Sequence, residues 1–311
     1  MRLSVVVLLG PTGVGKTALA VEMARSLDGE IVSADSRQLY RLMDIGTAKP
    51  TVAQRAVVRH HLIGVVDPGE RFTLAEFCER AHAALLEIAG RDRLPLLVGG
   101  AGQYLAALLE GWKVPRVPPQ PELRARLQAE AQERGVETLY RRLQQVDPHA
   151  AARILPGNLR RIIRALEVYE VTGVPISQQQ RQENSPYDFL VLGLTMARPA
   201  LYRRVDQRAE EMVRQGLVEE IRGLLAIGCG WDLPAMSGLG YAQFRPYIEG
   251  RGSLEEAIDR LKYDTHAFIR RQYTWFRRLP VQRWFDVSRS EERSAVLPCI
   301  QEWLSSRASA G

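Results

Sequence analysis

The sequence of 311 residues has few cysteines and few lysines, and its first apolar run is short. Cys78, Cys229 and Cys299 lie far apart, which excludes a disulfide framework and a zinc site with regular ligand spacing. The apolar run at 3–9 is too short to cross a membrane and leads directly into a glycine-rich loop. We therefore expect a cytoplasmic protein without a membrane partner, whose first apolar run is a β-strand and not a signal peptide.

Lysine is scarce although the chain is basic, with a formal net charge of +6 at pH 7. The lysines are Lys16, Lys49, Lys113 and Lys262, and arginine supplies the remaining positive charge. A surplus of positive charge is typical of proteins with polyanionic partners such as nucleic acids. A preference for arginine is equally expected from genome composition, so charge alone leaves a nucleic-acid partner open.

The most specific motif matches the P-loop pattern G-x-x-x-x-G-K-[ST], by which ATP-binding proteins are often recognised. Its residues are Gly10, Pro11, Thr12, Gly13, Val14, Gly15, Lys16 and Thr17. A β-branched run precedes the motif and a helical run follows it, as a P-loop requires. In such loops, backbone amides and the helix N-terminus bind phosphate, and the lysine reaches the outer phosphates. The motif predicts a di- or triphosphate ligand, with Mg²⁺ held by Thr17, but does not identify the reaction.

Apolar runs and helical patterns alternate along much of the chain. The candidate strands are 3–9, 30–34, 61–66, 94–98 and 189–196, and the longer candidate helices are 73–89, 199–227 and 253–279. This order predicts an α/β fold with a P-loop NTPase-like, doubly wound parallel sheet.

A proline-rich segment at 112–119 marks a change in composition. The chain that follows is polar and helical and has no strand pattern. We therefore expect an inserted all-helical subdomain at 116–186. The P-loop core domain would be formed by 1–115 and 187–311, including the C-terminal helices.

Asp35 follows the second candidate strand, at the end where doubly wound sheets place ligand-binding groups. A carboxylate at that point could face the P-loop ligand, or it could cap a helix. The fourth candidate strand ends in glycines, and not in the acid with which P-loop ATPases and GTPases hold Mg²⁺. A motor or switch protein is therefore disfavoured.

Together with the P-loop, five other segments resemble one family, the tRNA dimethylallyltransferases or IPP transferases. The segments are Asp-Ser-Arg-Gln-Leu-Tyr at 35–40, Met-Asp-Ile-Gly-Thr-Ala-Lys-Pro at 43–50, Pro-Leu-Leu-Val-Gly-Gly at 95–100, Arg-Ala-Leu-Glu-Val-Tyr at 164–169 and Arg-Gln-Tyr-Thr-Trp-Phe-Arg at 271–277. They occur in the family's order and cover nearly the whole chain.

The resemblance implies that dimethylallyl diphosphate and Mg²⁺ occupy the P-loop, and that a tRNA adenosine beside the anticodon is drawn into a channel. Its exocyclic amine would attack the allylic carbon, and diphosphate would leave. Asp35 matches the family's general base, and Arg208 matches an active-site arginine on the first long helix. Lys16, Mg²⁺ and the loop amides would stabilise the departing diphosphate.

The resemblance also implies a set of tRNA-binding positions. They are Ser36, Arg37, Gln38, Ala101, Arg160, Arg161, Arg164, Gly238, Gly240 and Tyr241. Two residues depart from the family: Ala101 stands where threonine is usual, and Ala242 stands where lysine or arginine is common. We expect a water to replace the missing hydroxyl beside Ala101, and we expect a monomer.

Two other functions stay open on the sequence alone. A P-loop small-molecule kinase also places an acid after its second strand, and it would consume ATP with a small acceptor. A non-catalytic RNA-binding protein with a vestigial loop is the other alternative, but the intact pair of Lys16 and Thr17, together with Asp35, argues against it.

Overall fold

The computed structural model describes residues 2–180 and 184–308. They belong to two compact units: Met1–Leu109 with Ser185–Gly311, and Glu110–Asn184. No helix within the described ranges is long and apolar enough to cross a membrane.

The helical unit begins earlier than the 116–186 range taken from composition. Trp112 donates its indole N–H to Glu110 at 2.8 Å, and Val117 is buried in the core of the helical unit. The proline-rich segment therefore belongs to the helical unit and is not a linker outside it.

The larger unit is built on a six-stranded sheet. Its strands are β1 (Leu3–Leu9), β2 (Gly29–Ala34), β3 (His60–His61), β4 (Leu94–Gly99), β5 (Tyr187–Thr195) and β6 (Arg283–Asp286). Their order across the sheet is β3-β2-β4-β1-β5-β6, and every neighbouring pair is parallel. The predicted α/β fold with a parallel sheet is confirmed.

The helices, in chain order, include four before the helical unit, five within it and six after it among the described residues. They are α1 (Lys16–Ser26), α2 (Val52–Val57), α3 (Leu74–Ala89), α4 (Gly102–Leu109), α5 (Pro121–Arg134), α6 (Val136–Val146), α7 (Pro148–Ala151), α8 (Leu159–Thr172), α9 (Ile176–Gln179), α10 (Arg198–Arg214), α11 (Leu217–Ala226), α12 (Arg245–Ile248), α13 (Leu254–Phe276), α14 (Ser290–Ser294) and α15 (Val296–Ala308).

Capping boxes set the starts of α3 and α13, which confirm the helices predicted over 73–89 and 253–279. At α3, the Thr73 hydroxyl accepts the amide of Glu76, whose carboxylate accepts the amide of Thr73 in return. Ser253 and Glu256 form the same reciprocal pair at α13. Each pair satisfies two backbone donors that would otherwise lack partners at a helix start.

One predicted helix and one predicted strand are interrupted in the structure. The helix predicted over 199–227 is divided into α10 and α11, because Gly216 has a φ of 101° that turns the chain between them. The strand predicted over 61–66 ends at His61. Leu62 and Gly64 follow with φ values of 62° and 61°, which interrupt the extended backbone. Strand β6 was not predicted.

A buried cluster joins the sheet to α1. It contains Val6 and Leu8 of β1, Leu96 of β4, and Leu19 and Met23 of α1. Burying an apolar side chain of this size contributes about 1.5–3 kcal/mol. The cluster therefore holds β1 and α1 firmly, and with them the loop that connects the two elements.

The helical unit has its own apolar core and one fully buried acid, Glu167 of α8. Burial by itself would raise the pKa of Glu167, but hydrogen bonds from Arg124, the Gln120 amide and Arg164 hold that pKa below its ordinary value. Arg124 binds the carboxylate with two bonds of 2.7 and 2.8 Å, and Arg164 adds one of 2.7 Å. These bonds tie α5 to α8.

Candidate active site

Three neighbouring strands end at one edge of the sheet, and candidate site residues follow each of them. Leu9 at the end of β1 and Ala34 at the end of β2 are both paired with Gly99 at the end of β4. The P-loop follows β1, and Asp35 follows β2. The parallel register therefore brings the loop and the acid, remote in sequence, to the same edge.

The P-loop leads into α1, which begins at Lys16. Gly15 precedes this helix and has no side chain with which to cap it, so the amides of the first turn can bind an anion. Lys16 donates its ammonium group to the Pro11 carbonyl at 2.8 Å, which folds the side chain back over its own loop.

Positive charge is concentrated around the loop. Burial lowers the pKa of Lys16 to about 8; Asp35 partly opposes this shift, and Arg208 adds to it. Burial also lowers the pKa of Arg208, which Asp35 again opposes and Arg204 reinforces. The three basic groups repel one another, so an anion that binds among them would be stabilised by all three.

A cavity of about 340 Å³ lies at this edge of the larger unit. Its lining includes Lys16 and Thr17 from the P-loop, Asp35 after β2, and Arg204 and Arg208 from α10. The predicted catalytic residues thus line one space, which is large enough for a small-molecule ligand. Of the other predicted phosphate-binding residues, Thr12, Gly13 and Gly15 line it, whereas Gly10, Pro11 and Val14 do not.

The cavity lining also includes four apolar residues, Ile31, Ile63, Val98 and Phe268. A ligand that carries both a phosphate and a hydrocarbon group would find partners for each among these lining residues. Removing such a group from water contributes about 0.8 kcal/mol for each buried methylene.

Arg37 and Gln38, predicted to bind tRNA, already have partners within the protein. Arg37 donates to the Pro234 carbonyl at 2.5 Å, and its amide binds Asp35 Oδ1 at 2.8 Å. Gln38 donates its side-chain amide to the carbonyls of Thr47 and Ala48 at 3.3 and 3.2 Å. Both residues therefore hold neighbouring loops in place around Asp35. Ser36 between Asp35 and Arg37 is half-buried.

Tyr241, also predicted to bind tRNA, is fully buried. Its hydroxyl donates to Glu220 at 2.7 Å. The ring offers no surface to a macromolecule. Gly240 packs so closely that an added Cβ would lie 2.8 Å from the Gly46 carbonyl, and an added Cβ at Gly238 would lie 3.1 Å from the Ala235 carbonyl.

The three arginines of α8 differ in their surroundings. Arg160 and Arg161 are exposed, whereas Arg164 is half-buried and bound to Glu167. Among the described residues, Arg160 and Arg161 have no ion pair that a polyanion would have to break, whereas Arg164 has one with Glu167.

Ala101 directly precedes α4, and its carbonyl accepts the amide of Leu105 at 3.1 Å. This is the N-cap position, where a hydroxyl or carboxylate side chain normally binds a free amide. The residues that line the cavity include Gly99 but not Ala101.

Three residues of the site were not given a role from the sequence. Arg204 lines the cavity from α10, Gln272 lines it from α13, and Glu220 of α11 braces the loop at 44–46. Gln272 belongs to the segment at 271–277 that matches the family, and this match could have indicated a functional position. Glu220 is an ordinary acid in the first turn of a helix, which gives no such signal.

Family models and curated relatives match most of the length of the chain. A family model described as IPP transferase matches residues 38–279, and one described as isopentenyl transferase matches residues 3–64. A tRNA dimethylallyltransferase of Roseiflexus castenholzii is 63% identical over 273 residues, covering 88% of this chain and 89% of the relative. One from Roseiflexus sp. is 56% identical and covers 96% and 98%.

Two solved structures are also similar to most of this chain. The tRNA isopentenylpyrophosphate transferase of Bacillus halodurans is 38% identical, with a TM-score of 0.75 and 99% coverage of both chains. A eukaryotic dimethylallyltransferase acting on tRNA is 26% identical, with a TM-score of 0.73, covering 88% of this chain and 70% of the other. These matches do not favour the small-molecule kinase. The chain belongs to the family of tRNA dimethylallyltransferases, which are transferases that modify tRNA.

Proposed function

We propose that the enzyme transfers the dimethylallyl group of dimethylallyl diphosphate to the exocyclic amine of the tRNA adenosine on the 3′ side of the anticodon, and releases diphosphate. One observation carries the proposal. A single cavity is lined by P-loop residues, by apolar residues and by the Asp35 carboxylate, which match the diphosphate, the dimethylallyl group and the amine of this reaction.

The P-loop residues, from Gly10 to Thr17, hold the diphosphate in this proposal. The amides of the later loop residues and the start of α1 bind the diphosphate oxygens. The Lys16 ammonium exchanges the Pro11 carbonyl for a phosphate oxygen, and Arg208 binds from the side of α10. As the C–O bond breaks, negative charge grows on the diphosphate, and these fixed cations stabilise it.

The donor atoms present fit a Mg²⁺ ion. The described residues contain no group of three or more His, Cys, Asp or Glu side chains that could hold a metal alone. Mg²⁺ usually keeps several waters and binds through substrate phosphates with one or two protein ligands. The Thr17 hydroxyl, which lines the cavity beside Lys16, is the ligand that the chain offers. When bound there, the ion would neutralise part of the diphosphate charge.

Asp35 is the general base in this proposal. The adenosine amine is a poor nucleophile because its lone pair is delocalised into the ring, so removal of its proton assists the attack. The bond from nitrogen to the allylic carbon forms as the bond from that carbon to the diphosphate breaks, and the amine proton passes to Asp35. The Arg37 amide fixes Asp35 Oδ1, so the other oxygen can accept this proton.

The exposed residues Arg160 and Arg161 are the proposed phosphate contacts of tRNA in the helical unit. The enzyme would act as a monomer in the cytoplasm, where thiols such as Cys78, Cys229 and Cys299 stay reduced.

The test is incubation of the protein with Mg²⁺, dimethylallyl diphosphate and unmodified tRNA, followed by mass analysis of the nucleosides. We expect one adenosine of the anticodon loop to gain one dimethylallyl group. ATP with small acceptors, assayed in parallel, should give no product. Phosphorylation of a small acceptor without any change in tRNA would overturn the proposal in favour of the kinase.

A further inference from the structure

Gln272 of α13 connects the P-loop to the segment that follows β4. Its side-chain oxygen accepts the Thr12 amide at 2.9 Å, and its side-chain nitrogen donates to the Gly100 carbonyl at 3.0 Å. The residue lines the cavity but is only 5% exposed. One buried amide thus joins two backbone segments that are remote in sequence.

The pattern of donors and acceptors allows only one orientation of this amide. The opposite orientation would place its NH₂ group against the Thr12 N–H and its oxygen against the Gly100 carbonyl. Both contacts would then be repulsive, and four polar groups at a buried or half-buried position would lack partners. The two bonds therefore form together, and they fix the distance between the segments.

Gln272 is itself held firmly. Ile269 and Phe276, which lie on the same face of α13, are each 1% exposed and pack into the core. A helix anchored on both sides of Gln272 leaves its side chain little freedom. The amide therefore acts as a rigid spacer and not as a mobile cap.

The packing at Gly100 shows how close the two segments are. A Cβ added to Gly100 would lie 2.5 Å from Gln272 Nε2, 3.1 Å from the Gly10 carbonyl and 3.6 Å from Lys16 Nζ. A side chain here would displace the Gln272 amide and press on the Gly10 carbonyl. The backbone after β4 thus passes directly beside the lysine of the phosphate-binding loop.

We infer that Gln272 is a positioning residue that sets the spacing between the donor, held by the P-loop, and the acceptor, held beside Asp35. The segment after β4 adjoins Asp35 because the Ala101 amide donates to the carbonyl of Ala34 at 3.2 Å. This inference rests on the proposed function. The Thr12 amide is engaged by Gln272, so phosphate is bound by the later amides of the loop. A shift of either segment would misalign the amine and the allylic carbon without removing any group that touches them.

The first test is Gln272→Met, which keeps the length of the side chain and removes both hydrogen bonds. We expect the single-turnover transfer rate at saturating substrates to fall by about 100-fold, the effect of misplacing reacting groups by about 1 Å. The dissociation constants of tRNA and of inorganic diphosphate should change far less. Gln282→Met is the matched control. Gln282 also bridges two backbone groups, the Val191 amide and the Phe189 carbonyl, but it is exposed and does not line the cavity.

The second test is Gln272→Glu, which has the same shape and serves if the methionine variant folds poorly. An ionised carboxylate can still accept the Thr12 amide but repels the Gly100 carbonyl, whereas a protonated one can donate to it. The ratio of the variant's transfer rate to that of the wild type should therefore rise as pH falls. Thermal melts of the variant at each pH are the control, because a merely structural role would change stability and rate together.

A wild-type rate in Gln272→Met, or a flat ratio across pH in Gln272→Glu, would overturn the positioning role. An equal loss in the Gln282→Met control would do the same. Failure of the proposed function has a different result: the wild-type protein would then transfer no dimethylallyl group in the same assay.

Discussion

The Glu220 carboxylate accepts the Tyr241 hydroxyl at 2.7 Å and also accepts three consecutive backbone amides, those of Asp44, Ile45 and Gly46, at 2.8, 2.8 and 3.1 Å. The next residues of this loop, Thr47 and Ala48, line the cavity. A single acid on α11 thus holds one wall of the site.

Tyr241→Phe tests this relationship. Burial and the nearby Glu220 raise the pKa of Tyr241, so its hydroxyl remains a donor at any working pH. We expect the free energy of unfolding to fall by about 1.5–3 kcal/mol, the range for a hydrogen bond to a charged group. Urea denaturation measures it, with Tyr263→Phe at a 63% exposed position as the control. Equal stability of the two variants would contradict the role of Tyr241.

The second prediction concerns pH. With a pKa of about 8, Lys16 of the empty enzyme is charged below this value and neutral above it. The affinity for inorganic diphosphate should therefore decrease as pH rises past about 8, and binding at about pH 9 should take up a proton. Calorimetry in buffers of different ionisation enthalpy measures the uptake. Lys16→Arg should abolish it, and uptake that persists in this variant would assign it to another group.

The same shift affects stability with a defined sign. The pKa of Lys16 in the folded protein lies below its ordinary value of 10.5, so the unfolded chain binds more protons between these two values. The contribution of Lys16 to the free energy of unfolding therefore rises as pH increases through this interval.

Asp35→Asn is the third prediction. The asparagine oxygen can still accept the Arg37 amide, so the fold of the loop should be preserved. Loss of the base should slow transfer by roughly 10²–10⁴-fold while tRNA binding changes much less. Single-turnover assays at saturating tRNA separate the two effects. A defect confined to tRNA affinity would make Asp35 a residue that only shapes its loop.

The fourth prediction separates the arginines of α8. Replacing Arg160 and Arg161 by alanine should weaken tRNA binding and flatten its salt dependence, by about 0.7–0.9 units of slope for each phosphate that the protein no longer binds. Arg164→Ala should instead destabilise the helical unit, because it removes one partner of the buried Glu167. Filter binding across salt concentrations and thermal melts measure the two effects. If the salt dependence of tRNA affinity is unchanged in the double variant, Arg160 and Arg161 are solvent-exposed residues without a role in tRNA binding.

The fifth prediction concerns Ala101. A threonine at this N-cap position should stabilise the protein by about 0.5–2 kcal/mol and hold or raise the transfer rate. Ala101→Val has the same shape without the hydroxyl and should not stabilise. Thermal melts and single-turnover assays compare the three proteins. If both variants fold but lose most of their activity, the site is packed around alanine and cannot take the larger side chain.

Much of the site could be predicted because its signals are local. The P-loop is a continuous motif between a strand and a helix, and Asp35 follows a run that is plainly a buried strand. Parallel pairing then brings them together without any further information. The same reasoning gave the sheet, although it missed β6, whose four residues include exposed Arg283 and Trp284 and carry no apolar pattern.

Contacts between remote segments could not be predicted. Gln272 meets Thr12 across 260 positions of sequence, and Glu220 meets Asp44 across 176. Nothing in either helix indicates its partner, because a polar residue on a helix usually faces solvent. Tyr241 is a different case: its place in a family motif implies contact with tRNA, whereas its ring is buried and its hydroxyl is bound to Glu220.

The strand order has a consequence for the growing chain. Strand β1 lies between β4 and β5, and β5 ends at Thr195. Until Thr195 has left the ribosome, β1 can pair with β4 only. The P-loop that follows β1 is then supported by a sheet that lacks β5 and β6. The helical unit is continuous in sequence and is synthesised in full before β5. During translation, the helical unit is therefore complete before the sheet of the larger unit, although the larger unit begins first in the sequence.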